Sequence, residues 1–304
     1  MDQLIRDWTF APSSPSILSR LSRLKSRLTG PVPRPAFAIA KPFFPARRWN
    51  VVFLYLPLGQ MSAGQLFTFA RMARMEGKLA VIAALPTDVP IPEDLNAADA
   101  LLRKDMPGYD FSAYTLAAEQ IAAHSPGARV YVQNDSVFGP FGDIDRLVEE
   151  APWGLTGFLA SSMLENHVQS FAFVVDRLDG SWLGALRPVL CERVAFDRYR
   201  DVVNLQETRM ARIAARHGTV GAHWFDPLSA ASEALFRAVV ARKLGRRPKG
   251  PVQTGDASLV HALSLLENGF PFLKVSLLGR NAHLGERERL LEALRERGHP
   301  TDGL

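Results

Sequence analysis

Cysteine is almost missing from this 304-residue chain. Cys191 stands alone, so neither an internal disulfide nor a thiol metal cluster can form, and the side chain reads as a packing residue. Long apolar runs are missing too. No stretch approaches the roughly 20 residues that a membrane-crossing helix needs, and the start, Met1-Asp2-Gln3-Leu4-Ile5-Arg6-Asp7, mixes charges where a secretory signal would carry an apolar core. On these grounds we expect a cytoplasmic protein. A basic stripe interleaved with aromatics is also absent, as is a recognised DNA- or RNA-binding module, which sets nucleic acid aside as a partner. What is present is ordinary in bulk. With 47% hydrophobic and 22% charged residues the chain reads as globular, with room for about two domains or one large α/β domain with appendages.

The net charge of +5 is concentrated at the front. Between residues 16 and 30, Ile17, Leu18, Leu21, Leu24 and Leu28 recur at helical spacing, with Arg20, Arg23, Lys25 and Arg27 on the other side. This predicts a short basic amphipathic helix, which can lie on an anionic membrane surface or dock on its own protein. Pro31, Pro33, Pro35, Pro42 and Pro45 then deny a continuous helix and predict a linker or strap. We therefore expect an appended segment over 1–48, a folded domain over 49–282 with halves meeting near 150, and a terminal helix and tail over 283–304. Inside the domain, residues 51–56 read as a buried strand, 62–76 as a helix closed by Gly77, and 79–85 as a second strand. That is the βαβ rhythm of a parallel sheet. Further helices are predicted over 111–123, 205–217, 230–244, 258–268 and 285–297, with a segment over 153–159 and a strand over 171–176.

The most informative stretch runs from Arg129 to Pro140. Val130, Tyr131 and Val132 form an apolar strand, and Asn134, Asp135 and Ser136 crowd oxygen atoms onto its exit before Gly139-Pro140. In open α/β sheets, ligands bind beyond the carboxyl ends of strands. A capped turn is the competing reading of Asp135 and Ser136.

Five patterns, in order, resemble the rhamnan synthesis F family of bacterial glycosyltransferases, related to the family 2 enzymes with the GT-A fold. They are Gly108-Tyr109-Asp110-Phe111 with Tyr114; Asn134-Asp135-Ser136-Val137-Phe138-Gly139-Pro140; Trp153-Gly154-Leu155-Thr156 with His167-Val168-Gln169-Ser170-Phe171; Glu207 with Gly218; and Gly269-Phe270-Pro271-Phe272-Leu273-Lys274. The match spans about residues 50 to 282. Departures fall at Met106, Ser112, Asp256-Ala257-Ser258 and Ala262.

The resemblance implies an α/β, GT-A-like (Rossmann-related) mixed sheet flanked by helices, with a nucleotide-binding half over 49–150 and an acceptor half over 151–282. It also implies sugar transfer from a nucleotide-sugar donor to a saccharide, lipid-linked on the inner membrane face, in surface polysaccharide assembly. Such transfer must neutralise a departing diphosphate and take a proton from the acceptor hydroxyl. By resemblance Glu207 is the general base, with His167 beside it. Gly108, Tyr109, Asp110, Asn134, Asp135, Ser136, Gln169 and Lys274 are candidates for holding the donor. Asp135 is the candidate ligand of Mg²⁺ or Mn²⁺, since hard cations prefer oxygen and spread leaving-group charge; it lacks the second carboxylate of an Asp-x-Asp pair. Plainer readings stand beside these. Asp110 can cap its helix, Glu207 can pair with Arg209, Arg212 or an arginine outside the helix, His167 can be structural, Trp153 can be core, and Lys274 can snorkel beside Phe272. Arg103 and Lys104 are further candidates for phosphate. A catalytically inactive nucleotide- or sugar-binding scaffold is the alternative function.

Overall fold

The computed structural model describes residues 5–15, 17–226, 243 and 256–304. The chain opens with β1 (Ile5–Thr9), α1 (Ile17–Thr29), β2 (Pro31–Pro33) and β3 (Phe37–Lys41). A central run follows: β4 (Arg48–Tyr55), α2 (Ala63–Ala73), β5 (Lys78–Ala84), β6 (Ala100–Lys104), α3 (Tyr109–His124) and β7 (Ala128–Asn134). Next come β8 (Val137–Phe138), α4 (Ile144–Glu149), β9 (Leu155–Ser161), β10 (His167–Val168), β11 (Ala172–Leu178) and α5 (Gly180–Leu186). The remainder comprises β12 (Val194–Phe196), α6 (Tyr199–Val202), α7 (Thr208–Ala214), β13 (Val220–Asp226), α8 (Ala257–Val260), α9 (Ala262–Glu267), β14 (Leu273–Lys274) and α10 (Arg287–Glu296).

One ten-stranded mixed sheet organises these elements, in the order β1-β13-β9-β11-β7-β4-β5-β6-β3 with β10 paired to β9. Strands β7, β4, β5 and β6 are parallel, which delivers the βαβ rhythm read from the sequence. Strand β11 runs antiparallel between β7 and β9. The sheet is covered on both faces, so its central strands are apolar throughout rather than alternating. Trp49, Val51 and Phe53 of β4 enter one core with Phe111, Leu116 and Met210. Val52 and Leu54 enter the other with Phe69 and Met72 of α2. Ser62 and Gln65 close the start of α2 with a reciprocal capping box, which fixes where β4 hands over to the helix.

Three expectations need correction. Residues 5–48 are not an appendage to the sheet, because β1 and β3 form its two edges by pairing with β13 and β6. The proline reading missed this because an edge strand needs hydrogen bonds on one side only, so prolines beside it are tolerated. The helix expected over 205–217 begins earlier, as α6, and passes through a π-helical turn, Val203–Glu207, before α7. The helix expected over 258–268 is two short ones broken at His261. The helix expected over 230–244 lies, apart from residue 243, outside the described residues. Among the described residues, no helix is long and apolar enough to cross a membrane.

Candidate active site

A cavity of about 910 Å³ opens beyond the carboxyl ends of β4 and β7. Residues distant in sequence converge there: Tyr109, Asp110, Asn134, Asp135, Ser136, Gln169, Glu207 and Lys274 all line it. Its volume lies within the usual range for a small-molecule site. Two of the residues singled out from the sequence stand behind the wall instead. Gly108 adopts a left-handed backbone, φ 96°, and a Cβ there would come within 2.9 Å of Ala195 Cβ. It serves a tight turn packed on β12, and its amide donates to Asp197 Oδ1 at 2.9 Å. His167 is buried one layer back.

The floor is a hydrogen-bonded lattice. Asn134 Nδ2 donates to Asp110 Oδ2 at 2.8 Å, while Asn134 Oδ1 accepts from the Ser136 amide at 3.1 Å and its hydroxyl at 2.6 Å. Asp110 Oδ1 accepts from the Phe111 amide at 2.9 Å, so the carboxylate ties the start of α3 to the exit of β7. Asp135 Oδ2 accepts from the Tyr55 amide and from Gln65 Nε2, both at 2.7 Å. It thereby joins β4, α2 and β7. Burial pushes the Asp110 carboxyl up from an ordinary 3.8 to about 6, helped by the Glu207 charge and opposed by the Asn134 amide. Burial likewise raises Asp135 from 3.8 to about 6 against the hydrogen bonds of Tyr55 and Gln65. Lys104, expected near phosphate, is fully buried below and donates to the carbonyls of Asp105 at 2.7 Å and Pro107 at 2.9 Å. Burial brings its amine down from 10.5 to about 8. It holds the loop ahead of Gly108, and Arg103 donates to the Pro86 carbonyl.

Glu207 sits at the end of the π-helical turn, a distortion that recurs at functional sites. Thr208 Oγ1 donates to the Val203 carbonyl at 2.9 Å, satisfying an acceptor five residues back, and so supports the widened turn. Ser170 Oγ donates to Glu207 Oε2 at 2.5 Å, and His167 Nε2 lies 3.7 Å from Oε1. His167 Nδ1 is 2.8 Å from the Glu165 carbonyl, which assigns the proton to Nδ1 in the neutral ring. Burial holds His167 below its usual 6.5, opposed by Glu207. The pairing of Glu207 with Arg209 or Arg212 does not form: Arg209 donates to the Leu205 carbonyl and Arg212 pairs with Glu165.

The remaining wall holds residues that the sequence patterns did not pick out as site residues. Asp197, Tyr199, Asp256 and Arg280 line the cavity. Lys274 Nζ lies 4.3 Å from the centre of the Phe171 ring, and the Arg280 guanidinium 5.6 Å from that of Tyr199. Gln169 Nε2 donates to Asp256 Oδ1 at 2.6 Å, and Gln169 Oε1 is buried with no hydrogen-bond partner among the described residues. Asp197 directly follows β12 as Asp135 follows β7, so a carboxylate at a strand exit was again the signal. It was missed because β12 is three residues long. Trp153 lies against Gly221 and His223 beside Asp7 and the Leu147 carbonyl, both away from this cavity.

A divalent cation needs several oxygen ligands. Asp135 and Asp110 each have Oδ2 already engaged by N–H donors. Among the described residues no group of three or more His, Cys, Asp or Glu converges to hold a metal. The Oδ2 atom of Asp135 acts as a brace between β4, α2 and β7. Comparison of the chain with protein-family models and with curated proteins returns no match.

Proposed function

We propose that the protein is an inverting glycosyltransferase of GT-A-like architecture that moves a sugar from a nucleotide-sugar donor to a saccharide acceptor of a bacterial surface polysaccharide. One observation carries this reading: residues from each of the five motifs that resemble rhamnan synthesis F glycosyltransferases, from Tyr109 to Lys274, line one cavity at the sheet's carboxyl edge. Cavities in this position of an open α/β sheet are where nucleotides bind.

Each residue has a task in this reaction. Asp110 and Asn134 hold the nucleoside, with the first turn of α3 presenting its dipole to anionic groups. Lys274 and Arg280 supply positive charge to the diphosphate as it departs. The acceptor hydroxyl attacks the anomeric carbon from the face opposite the leaving group. The new C–O bond forms as the bond to phosphate breaks, the diphosphate leaves with the electron pair, and Glu207 takes the hydroxyl proton. Ser170 fixes the orientation of the Glu207 carboxylate. His167 Nε2, unprotonated in the neutral ring and 3.7 Å from Oε1, would receive that proton once the two close to hydrogen-bond distance.

Purified protein incubated with a panel of nucleotide sugars, with and without Mn²⁺, tests the proposal through binding and slow donor hydrolysis. One donor is expected to bind and to release nucleotide. Binding without turnover, unchanged in Glu207→Gln, would make the protein a scaffold instead.

A further inference from the structure

Helix α1 presents its faces in an unusual order. Its polar side is buried: Ser19 and Ser26 are covered, Ser22 Oγ accepts from Asn204 Nδ2 at 2.8 Å, and Arg23 donates to Thr208 Oγ1 at 2.9 Å while pairing with the buried Glu165. Its apolar side faces outward. Ile17 and Leu28 are each 76% exposed, Leu21 60% and Leu24 55%. At 3.6 residues per turn these four side chains fall in one stripe about 60° wide. A helix docked only to bury its leucines would be turned the other way.

Positive charge surrounds the stripe. Exposed Arg20 and Arg27 border it on one side and exposed Lys25 on the other. Arg209, Arg212 and Arg216 stand close behind: burial first, and then repulsion among these guanidiniums and those of Arg20 and Arg27, hold Arg23, Arg209 and Arg212 below their usual value. Glu165 answers Arg23 and Arg212. Among the described residues Arg20, Arg27, Arg209 and Arg216 have no ion-pair partner. The surface is therefore a convex apolar ridge in a cationic field.

We propose that this face docks on an anionic phospholipid bilayer, with Ile17, Leu21, Leu24 and Leu28 entering the boundary between headgroups and acyl chains and the arginines lying against lipid phosphates. Amphipathic helices with basic flanks bind such surfaces through both terms together. A second copy of the chain is a poor occupant, because a two-fold interface would set one arginine cluster against another. The docked helix rests through Arg23 on Asn204 and Thr208, in and directly beside the turn that ends at Glu207, so the bilayer would lie on the Glu207 side of the cavity.

The test is flotation of the full chain with vesicles of phosphatidylcholine alone or with about a third phosphatidylglycerol, at low and high salt. The wild type is expected to float with the anionic vesicles and at least about tenfold less with the neutral ones, in a salt-sensitive manner. The double variants Leu21→Ser/Leu24→Ser and Arg20→Glu/Arg27→Glu are each expected to lose at least about tenfold in binding. All four side chains are exposed, so the thermal melts should coincide with the wild type. In Leu24→Trp the indole emission should shift to the blue on anionic vesicles alone. Absence of wild-type flotation, flotation indifferent to either double variant, or a dimer that the leucine variant dissociates in the absence of vesicle binding each overturns the proposal. None of these readouts depends on turnover, so a failed glycosyltransferase assay leaves this test intact.

Discussion

The floor and the rim of the cavity are built on opposite plans. On the floor, Asp110, Asn134 and Asp135 are each tied to another element: α3 to β7, and β7 to β4 and α2. On the rim, Tyr199 is 59% exposed, and Lys274 and Arg280 rest on aromatic faces. The floor is organised before any ligand arrives, and that reduces the ordering cost of binding. The rim holds its cations against aromatic rings, without a carboxylate partner among the described residues, so their charge is free to meet a phosphate. The contrast separates recognition from chemistry, and variants on each side should fail in different ways.

The largest effect is expected between the two, at Glu207. Glu207→Gln keeps the size of the side chain and an acceptor for Ser170 but cannot take a proton. Turnover should fall on the order of 10³-fold, with donor affinity unchanged within about threefold. Steady-state nucleotide release and calorimetric donor binding measure the two quantities; a parallel fall in both would mean that Glu207 belongs to the floor. On the floor itself, Asp110→Ala strips the partner from Asn134 Nδ2. Loss of a hydrogen bond to a charged group should weaken the donor by about 10- to 100-fold, and the isolated nucleotide by the same factor. An effect confined to turnover would contradict that assignment. The rim should respond to a different part of the donor. Arg280→Ala should weaken the nucleotide sugar by about 5- to 10-fold and leave the unphosphorylated nucleoside unaffected, a difference that shrinks in high salt.

The same contrast explains what could be read from the chain alone. The floor was legible because its parts are local: an apolar strand ending in Asn134-Asp135-Ser136, and a Gly-Tyr-Asp turn opening a helix. The parallel core was legible because strands β4 and β5 are bounded apolar runs and Gly77 closes the intervening segment. The rim was not, because Asp197, Tyr199 and Arg280 reach the cavity only through tertiary packing and sit beside elements of two to four residues, too short for periodicity to register. The edge strands were illegible for a related reason: β1 and β3 owe their state to β13 and β6, not to their own composition. Nor could periodicity tell which face of α1 is buried, since the buried face is the polar one.

The smallest predicted effect bears most directly on the role of Asp135. Its Oδ2 accepts both N–H donors, and an amide oxygen can accept the same two, so Asp135→Asn should keep the brace. Because the carboxyl is raised from 3.8 to about 6, the native chain holds that proton more tightly than the unfolded chain does. The stabilisation is complete below pH 3.8, declines as pH rises through about 6, and is gone above it. At pH 8 the ionised wild type therefore bears a burden that the amide lacks. Full burial would set that burden at about 3 kcal/mol, but Asp135 faces the open cavity, so on the order of 1 kcal/mol is expected, or a rise of about 1–2 °C in Tm for a chain of this length. Near pH 4 the two melts should coincide. A lower Tm for Asp135→Asn at pH 8, joined to loss of a Mn²⁺-dependent activity, would return Asp135 to the role of metal ligand; a higher Tm with donor affinity retained leaves it as the post that holds the floor in register.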